Sequence, residues 1–363
     1  MAKRRKTKNK LVRFLLSIGL LIIIGIGIYF AYPYVQKYFN TEKKDDQIVS
    51  GDLTIHFLEL GNKYTGDAVY IKAGETDILI DAGSKGNSAD DIANYLNKYI
   101  EDNVIEYVIA THAHEDHISG FVGTADIPGI FDAFDCKTII DFPKTDKNTA
   151  VYQKYCAKRD NEVTNGAKHY TALQCYNNID GATRTYQLSD GIEMEILNSY
   201  YYTNSSSDEN NYSVCIMINQ GSKHFLFTGD LEESGEKKLI ELNNLPEVEV
   251  FKAGHHGSYT ATSMELLDVI KPRIICICCC AGTDEYTEKP ERMFPAQDFI
   301  SRICKYTERV YVTSLGASNA EGYQSFNGNI VIASSPTGFV VTCSNNNTIL
   351  KDSEWFKANR KWE

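Results

Sequence analysis

The chain has 363 residues, 43% of them hydrophobic, enough for one large domain or two modest ones with a buried core. The first thirteen residues carry seven of its 37 Lys/Arg and no acid, which leaves 30 bases against 48 Asp/Glu in residues 14–363. That balance excludes recruitment of nucleic acid by a general positive field, and no basic stripe marks a dedicated nucleic-acid-binding surface.

In chain order, residues 1–13 form a basic tail and residues 14–32 follow without a charge. Nineteen uncharged residues are enough to span a bilayer as a helix and too many for an ordinary signal-peptide core. No small-residue cleavage site stands near Ala31 and Pro33. The expectation is an uncleaved single-pass transmembrane anchor at the cell membrane. Its basic tail stays in the cytoplasm, residues 33–50 serve as a polar linker, and the rest of the chain is extracytoplasmic. From Leu53 strands and helices alternate. A hairpin is predicted over 67–73 and 76–81 about Gly74-Glu75. A helical stripe of Ile92, Tyr95, Leu96 and Tyr99 falls within 88–100, and 104–110 is the next strand. Residues 121–211 are rich in Asn, Tyr, Thr and Asp and read as irregular, suited to loops over a site.

Regularity returns with paired strands over 212–219 and 223–228 and a helix over 232–242. A capping box, Thr262 to Glu265, opens another helix, which Lys271-Pro272 ends. The run 273–281 reads as a buried strand in which Cys276, Cys278 and Cys280 share a face, as small hydrophobes rather than a thiolate metal site. Pairing of Cys136, Cys156, Cys175, Cys215, Cys304 and Cys343 is open. A helix near 296–306 and strands near 310–313 and 338–343 follow, and residues 346–363 read as a C-terminal tail.

The densest chemistry is at 111–120, Thr-His-Ala-His-Glu-Asp-His-Ile-Ser-Gly, where three of the chain's eight histidines lie beside an aspartate. A strand that ends in a turn can aim His112, His114, Asp116 and His117 into one small volume. Imidazole nitrogen and carboxylate oxygen are donors that zinc, manganese or iron accepts.

This run resembles the signature of the metallo-β-lactamase superfamily, and other segments resemble its motifs in the same order over about residues 51–343. They are Asp81-Ala82-Gly83 at a strand end, Thr228-Gly229-Asp230, and Gly254-His255-His256-Gly257-Ser258. The last, with Gly66-Asp67-Ala68, is similar to the ComEC-like C-terminal hydrolase branch. The resemblance implies an α/β fold, the αβ/βα four-layer sandwich, over 51–345. It implies one or two divalent ions, zinc first with manganese or iron as alternatives. His112 and His114 would hold the first ion, Asp116, His117 and His255 the second, and Asp230 would bridge. His256 would line the site, Asp81 would orient a ligand histidine, and Ser258 would meet substrate. The superfamily's mid-chain histidine is missing; this chain has Asn210-Asn211-Tyr212-Ser213 there, and His169 lacks the motif's setting.

The implied chemistry is hydrolysis by a hydroxide formed as metal coordination lowers the pKa of water to about 7, with Asp116 as proton acceptor. The leading expectation is a membrane-anchored, extracytoplasmic phosphodiesterase acting on DNA or a cell-wall polymer. The alternatives are a β-lactamase or lactonase, and a non-catalytic surface binding protein on a degenerate hydrolase fold.

Overall fold

Strand-forming runs rich in Ile, Val and Phe, bounded by glycine turns, place the site by setting where parallel strands end. The structure is a computed structural model that describes residues 51–363, so the expected basic tail, anchor and linker lie outside the described residues. Among the described residues no helix is long and apolar enough to cross a membrane.

The strands of the first half are β1 (Leu53–Phe57), β2 (Val69–Ala73), β3 (Thr76–Ile80), β4 (Val104–Ile109), β5 (Asp135–Asp141) and β6 (Lys168–Thr171). Next come β7 (Thr185–Ser189), β8 (Ile192–Ile196), β9 (Ile216–Gln220), β10 (Lys223–Phe227), β11 (Val250–Lys252), β12 (Ile274–Ala281), β13 (Val310–Gly316) and β14 (Tyr323–Ser325). The last two are β15 (Ile330–Ser335) and β16 (Gly338–Cys343). They form two eight-stranded sheets, ordered β16-β15-β1-β2-β3-β4-β5-β6 and β14-β13-β12-β11-β10-β9-β8-β7. The chain thus returns to the first sheet for its last two strands.

The two sheets share a buried apolar core, in which the Phe57 and Phe227 rings stack at 6.3 Å between centroids. Helices Ser88–Leu96 and Glu115–Val122 add Ile92, Leu96, Ile118 and Phe121 to that cluster. On the other face of the second sheet, Leu226 and Phe251 pack with Leu239 and Leu266 of helices Glu233–Leu242 and Met264–Ile270. Strand β12 shows the logic of period two: Cys276 and Cys278 enter the core between the sheets, while Ile275, Ile277 and Cys279 join the cluster beyond it. All ten cysteines are free thiols. Two packed sheets flanked by helices are the α/β arrangement that the resemblance to the metallo-β-lactamase superfamily implies.

Two expectations change. Residues 121–211 are regular, with β5 to β8 and helices Ile130–Ala133, Ala150–Thr164 and Ala172–Asn177. Apolar periodicity is weak in edge strands β6 and β7 and in helix Ala150–Thr164, which buries only Tyr155 and Glu162, whereas β8 alternates strictly. The expected tail is also part of the fold. Leu350 and Phe356 are buried in the cluster with Ile275 and Phe299, and Arg360 donates to the carbonyls of Pro295 and Met293.

Candidate metal centre

Each chemical residue follows the C-terminal end of a strand that has a parallel neighbour. Parallel pairs β3–β4 and β10–β11 end at Ile80, Ile109, Phe227 and Lys252, and the loops beyond them carry Asp81, His112, Asp230 and His255-His256. Glycine makes the convergence sterically feasible. A Cβ on Gly83 would fall 1.6 Å from the Asp116 carbonyl oxygen, so only glycine lets this loop lie against the start of helix Glu115–Val122. The backbone closes the joint, with Ala82 N–H donating to His117 O at 2.8 Å and Asp67 N–H to Asp116 O at 3.0 Å. Asp81 (φ 59°), His255 (φ 45°) and His256 (φ 53°) all sit in the left-handed region. That conformation costs a non-glycine residue on the order of 1–2 kcal/mol, and such strain concentrates at functional sites.

The loops bring four imidazoles to one atom. Asp230 Oδ2 lies 3.1 Å from His117 Nε2, 3.3 Å from His256 Nε2, 3.9 Å from His255 Nε2 and 4.0 Å from His112 Nε2. His112 Nε2 and His114 Nδ1 are 3.1 Å apart, and Asp116 Oδ2 lies 3.6 Å from His256 Nε2. His112, His117 and His256 are fully buried and Asp230 nearly so. Burial disfavours every charge here, and lowers the His112 imidazole well below its usual range. The Asp230 carboxylate overcomes burial at His117 and His256 and raises both, while the imidazoles hold Asp230 and Asp116 low. Even so, His256 Nε2 and Asp230 Oδ1 have no hydrogen-bond partner among the described residues. A buried polar atom left in that state costs about 1–3 kcal/mol, and a cation among these donors would supply the missing partner. The mixed nitrogen and oxygen set fits zinc, manganese or iron.

Behind the donors stands a supporting layer. Asp81 Oδ2 lies 2.7 Å from His117 Nδ1 and its Oδ1 accepts the Thr111 N–H at 2.7 Å, which turns His117 Nε2 inward. Asp67, His117, Asp230 and His256 each offer a donor atom within 4.8 Å of one another. Asp67, however, meets His256 at Nδ1, 3.1 Å away on the edge of the ring opposite Nε2, where the Cys278 carbonyl also lies 3.0 Å from Nδ1, so Asp67 stands behind the ring and adds to the hold of that carbonyl. The fully buried Lys252 ammonium pairs with Asp67 and lies 3.7 Å from Asp230 Oδ1.

The expected residues fare differently. His112, His114, Asp116, His117, Asp230 and Asp81 come together as described. Both late histidines turn Nε2 toward Asp230, His256 at 3.3 Å and His255 at 3.9 Å. His256 joins the buried donor group, and His255 sets Nδ1 2.8 Å from Glu232 Oε1. Ser258 is not aimed at the donors: its Oγ lies 2.8 Å from Thr260 Oγ1 and accepts the Thr260 N–H, within its own turn. His169 is on β6 with Nε2 2.9 Å from Asp141. Sequence reasoning passed over Lys252, Glu232, Asn210 and Tyr286. Asn210 donates to Glu232 Oε1 at 2.9 Å, and the Tyr286 hydroxyl donates to Asp116 Oδ2 at 2.6 Å. Glu232, two residues after Asp230, and Asn210, in the Asn-Asn run, had a positional signal; Tyr286 had none.

Comparison with known proteins agrees with this geometry. The Metallo-beta-lactamase superfamily pattern matches residues 61–130, which span the Asp81 loop and the His112–His117 run. Recombination protein 2 of Haemophilus influenzae is 29% identical over 134 residues, 32% of this chain and 16% of that protein. ComE operon protein 3 of Bacillus subtilis is 31% identical over 67 residues, 18% of this chain and 9% of that protein. Exodeoxyribonuclease YycJ of Bacillus anthracis is 32% identical over 66 residues, 18% of this chain and 24% of that protein. The chain therefore spans less than a quarter of each relative's length. In the matched pattern and in the order of its motifs the chain is similar to the metallo-β-lactamase superfamily, and over part of its length to these three relatives.

Proposed function

We propose that this chain is a metal-dependent phosphodiesterase. The observation that carries the reading is the convergence of four imidazole nitrogens within 4.0 Å of Asp230 Oδ2. His112, His114 and Asp230 would hold one divalent ion, and Asp116, His117, Asp230 and His256 would hold a second. Divalent ions bound there would supply Lewis acidity and lower the pKa of water to about 7. Zinc is the first candidate, with manganese and iron as alternatives.

The protein's own part is positioning. Asp81 and Asp67 fix the ring orientations of His117 and His256 from behind. Tyr286 holds Asp116 by its hydroxyl, so one carboxylate oxygen has a set direction. Glu232 holds His255 at Nδ1, which leaves Nε2 facing the site, 3.9 Å from Asp230 Oδ2. A phosphodiester is the favoured bond because one relative bears the name exodeoxyribonuclease. Localisation belongs to the same proposal: the uncharged run 14–32 behind its basic tail tethers the hydrolase domain outside the cell membrane.

The test is hydrolysis of bis(p-nitrophenyl) phosphate by the full-length chain beside Asp230→Ala, with metal content measured on both. Zinc-dependent turnover that Asp230→Ala reduces by at least ~10³-fold is expected. Retained turnover in that variant would sink the mechanism. A metal-loaded protein that leaves the phosphodiester intact but opens a chromogenic lactam would move the activity to another bond class.

A further inference from the structure

The run Glu209–Val214 occupies the stretch in which the superfamily's mid-chain histidine is missing, and it holds no imidazole. It nevertheless touches both loops that would supply donors to the first ion. The buried Glu209 carboxylate accepts the Ala113 N–H at 3.3 Å, and Ala113 is the residue between His112 and His114. Val214 N–H donates to the Thr111 carbonyl at 2.9 Å, immediately before His112. The fully buried Ser213 Oγ accepts the Asp230 N–H at 3.1 Å, and Asn210 donates to Glu232, two residues beyond Asp230. The sequence shapes this locally. The Asp208 side chain accepts the Asn210 N–H at 3.0 Å and so starts the 3-10 turn Glu209–Tyr212, from which Glu209 reaches one ligand loop while Asn210 and Ser213 reach the other. Packing leaves the loops little room to slide: a Cβ on Gly229 would fall 2.8 Å from Ser213 Oγ and 2.9 Å from Thr111 Cβ.

The second Glu209 oxygen accepts the Asp146 N–H at 3.1 Å, so both oxygens are engaged by backbone amides and Glu209 acts as a brace rather than a ligand. We propose that Glu209 is a positioning residue for the first ion. With Ser213 it fixes, by hydrogen bonds, the separation of the His112–His114 pair from Asp230 that a further imidazole bound to the ion would otherwise fix. The inference rests on the donor sets of the metal-dependent reading and deepens it, because it concerns how a set with only three donors is held ready. Groups that hold ligands from behind contribute to metal affinity without touching the metal. Asp230 belongs to both sets, so Ser213 bears on both ions, whereas Glu209 bears on the first alone.

The experiment titrates zinc into the metal-stripped full-length chain in competition with a chromophoric chelator, beside Glu209→Gln, Glu209→Ala, Ser213→Ala and His114→Ala. The wild type is expected to take up two ions and His114→Ala one. Glu209→Gln should weaken one ion ~10- to 100-fold and spare the other, and should have no further effect when added to His114→Ala. Glu209→Ala should weaken the same ion more, since the glutamine carbonyl can still accept the Ala113 N–H. Ser213→Ala should weaken both ions. Wild-type affinity for both ions in Glu209→Gln and Glu209→Ala, or an equal loss at both, overturns the positioning role. So does a further loss when Glu209→Gln is added to His114→Ala. Binding is read without substrate, which separates two failures. A wild type that takes up fewer than two ions defeats the paired donor sets and this inference with them. Full uptake without hydrolysis of the small phosphodiester defeats the phosphodiesterase reading, while the titration still decides what Glu209 does.

Discussion

His56 on β1 and His256 beyond β11 are equally hidden, each with no exposed surface. The His56 ring nitrogens meet only hydroxyls, Tyr95 at 2.8 Å and Thr54 at 2.8 Å, amid the Tyr70 and Tyr99 rings. Burial there pushes the imidazole down to about 3, and the ring stays neutral with every polar atom partnered. His256 instead faces Asp67, Asp116 and Asp230, whose charges raise its pKa against burial, and its Nε2 has no hydrogen-bond partner among the described residues. Burial of a histidine thus says little by itself. The cation site is marked by surplus carboxylates around imidazoles whose hydrogen-bonding remains incomplete.

The largest test of that contrast is metal removal. Chelation should reduce phosphodiester hydrolysis by at least ~10³-fold. It should also lower stability by about 4 kcal/mol relative to protein with zinc at a thousand times its dissociation constant. Thermal unfolding with and without chelator measures the second effect; identical midpoints would leave the carboxylate surplus without a metal to explain it.

Next comes Lys252→Met. Losing the ammonium strands the Asp67 carboxylate in the interior and should cost about 3–5 kcal/mol of unfolding free energy in denaturant titration. Metal affinity should fall ~10- to 100-fold, because Asp67 then orients His256 less well. Lys252→Arg should recover part of both. Unchanged stability and affinity in Lys252→Met would show that the buried pair supports neither.

The His56 side is probed by acid. Its folded pKa is depressed from 6.5 to about 3, so the stability it contributes is complete above pH ~6.5 and is lost as pH falls toward ~3. Between pH 7 and 4.5 that group alone should account for about 3 kcal/mol in chemical denaturation. His56→Gln should flatten this part of the profile without altering metal content; the same slope in the variant would remove His56 as its source.

The smallest expected effect belongs to Tyr286→Phe. Without the hydroxyl on Asp116, kcat/KM for the small phosphodiester should fall about 5-fold, equivalent to roughly 1 kcal/mol, with metal retained. A fall of several hundredfold would assign Tyr286 a larger part than holding a carboxylate.

Much of this was legible along the chain. The turn at Gly74-Glu75, the strand before His112 and the alternation in β12 are local patterns, and period-two and helical spacing reveal them. Residues 121–211 were misjudged because edge strands and a helix that buries only Tyr155 and Glu162 carry little apolar periodicity. Leu350 and Phe356 looked like a tail because a helix as short as Glu354–Asn359 has too few turns to show a stripe.

The sequence by itself determined the chemical type of the site. His112, His114, Asp116 and His117 are neighbours in the chain, and a strand end followed by a helix start confines them wherever the rest goes. Only the tertiary structure decided that both His255 and His256 turn Nε2 toward Asp230, at 3.9 and 3.3 Å. It also brought Asp67 and Lys252, separated by 185 residues, into one ion pair, and laid Tyr286 on Asp116. The reason is physical. Local sequence sets which groups are available and the pitch at which they leave the backbone. Ring direction and charge pairing depend on two sheets closing against each other, and on left-handed turns that only the completed packing can hold.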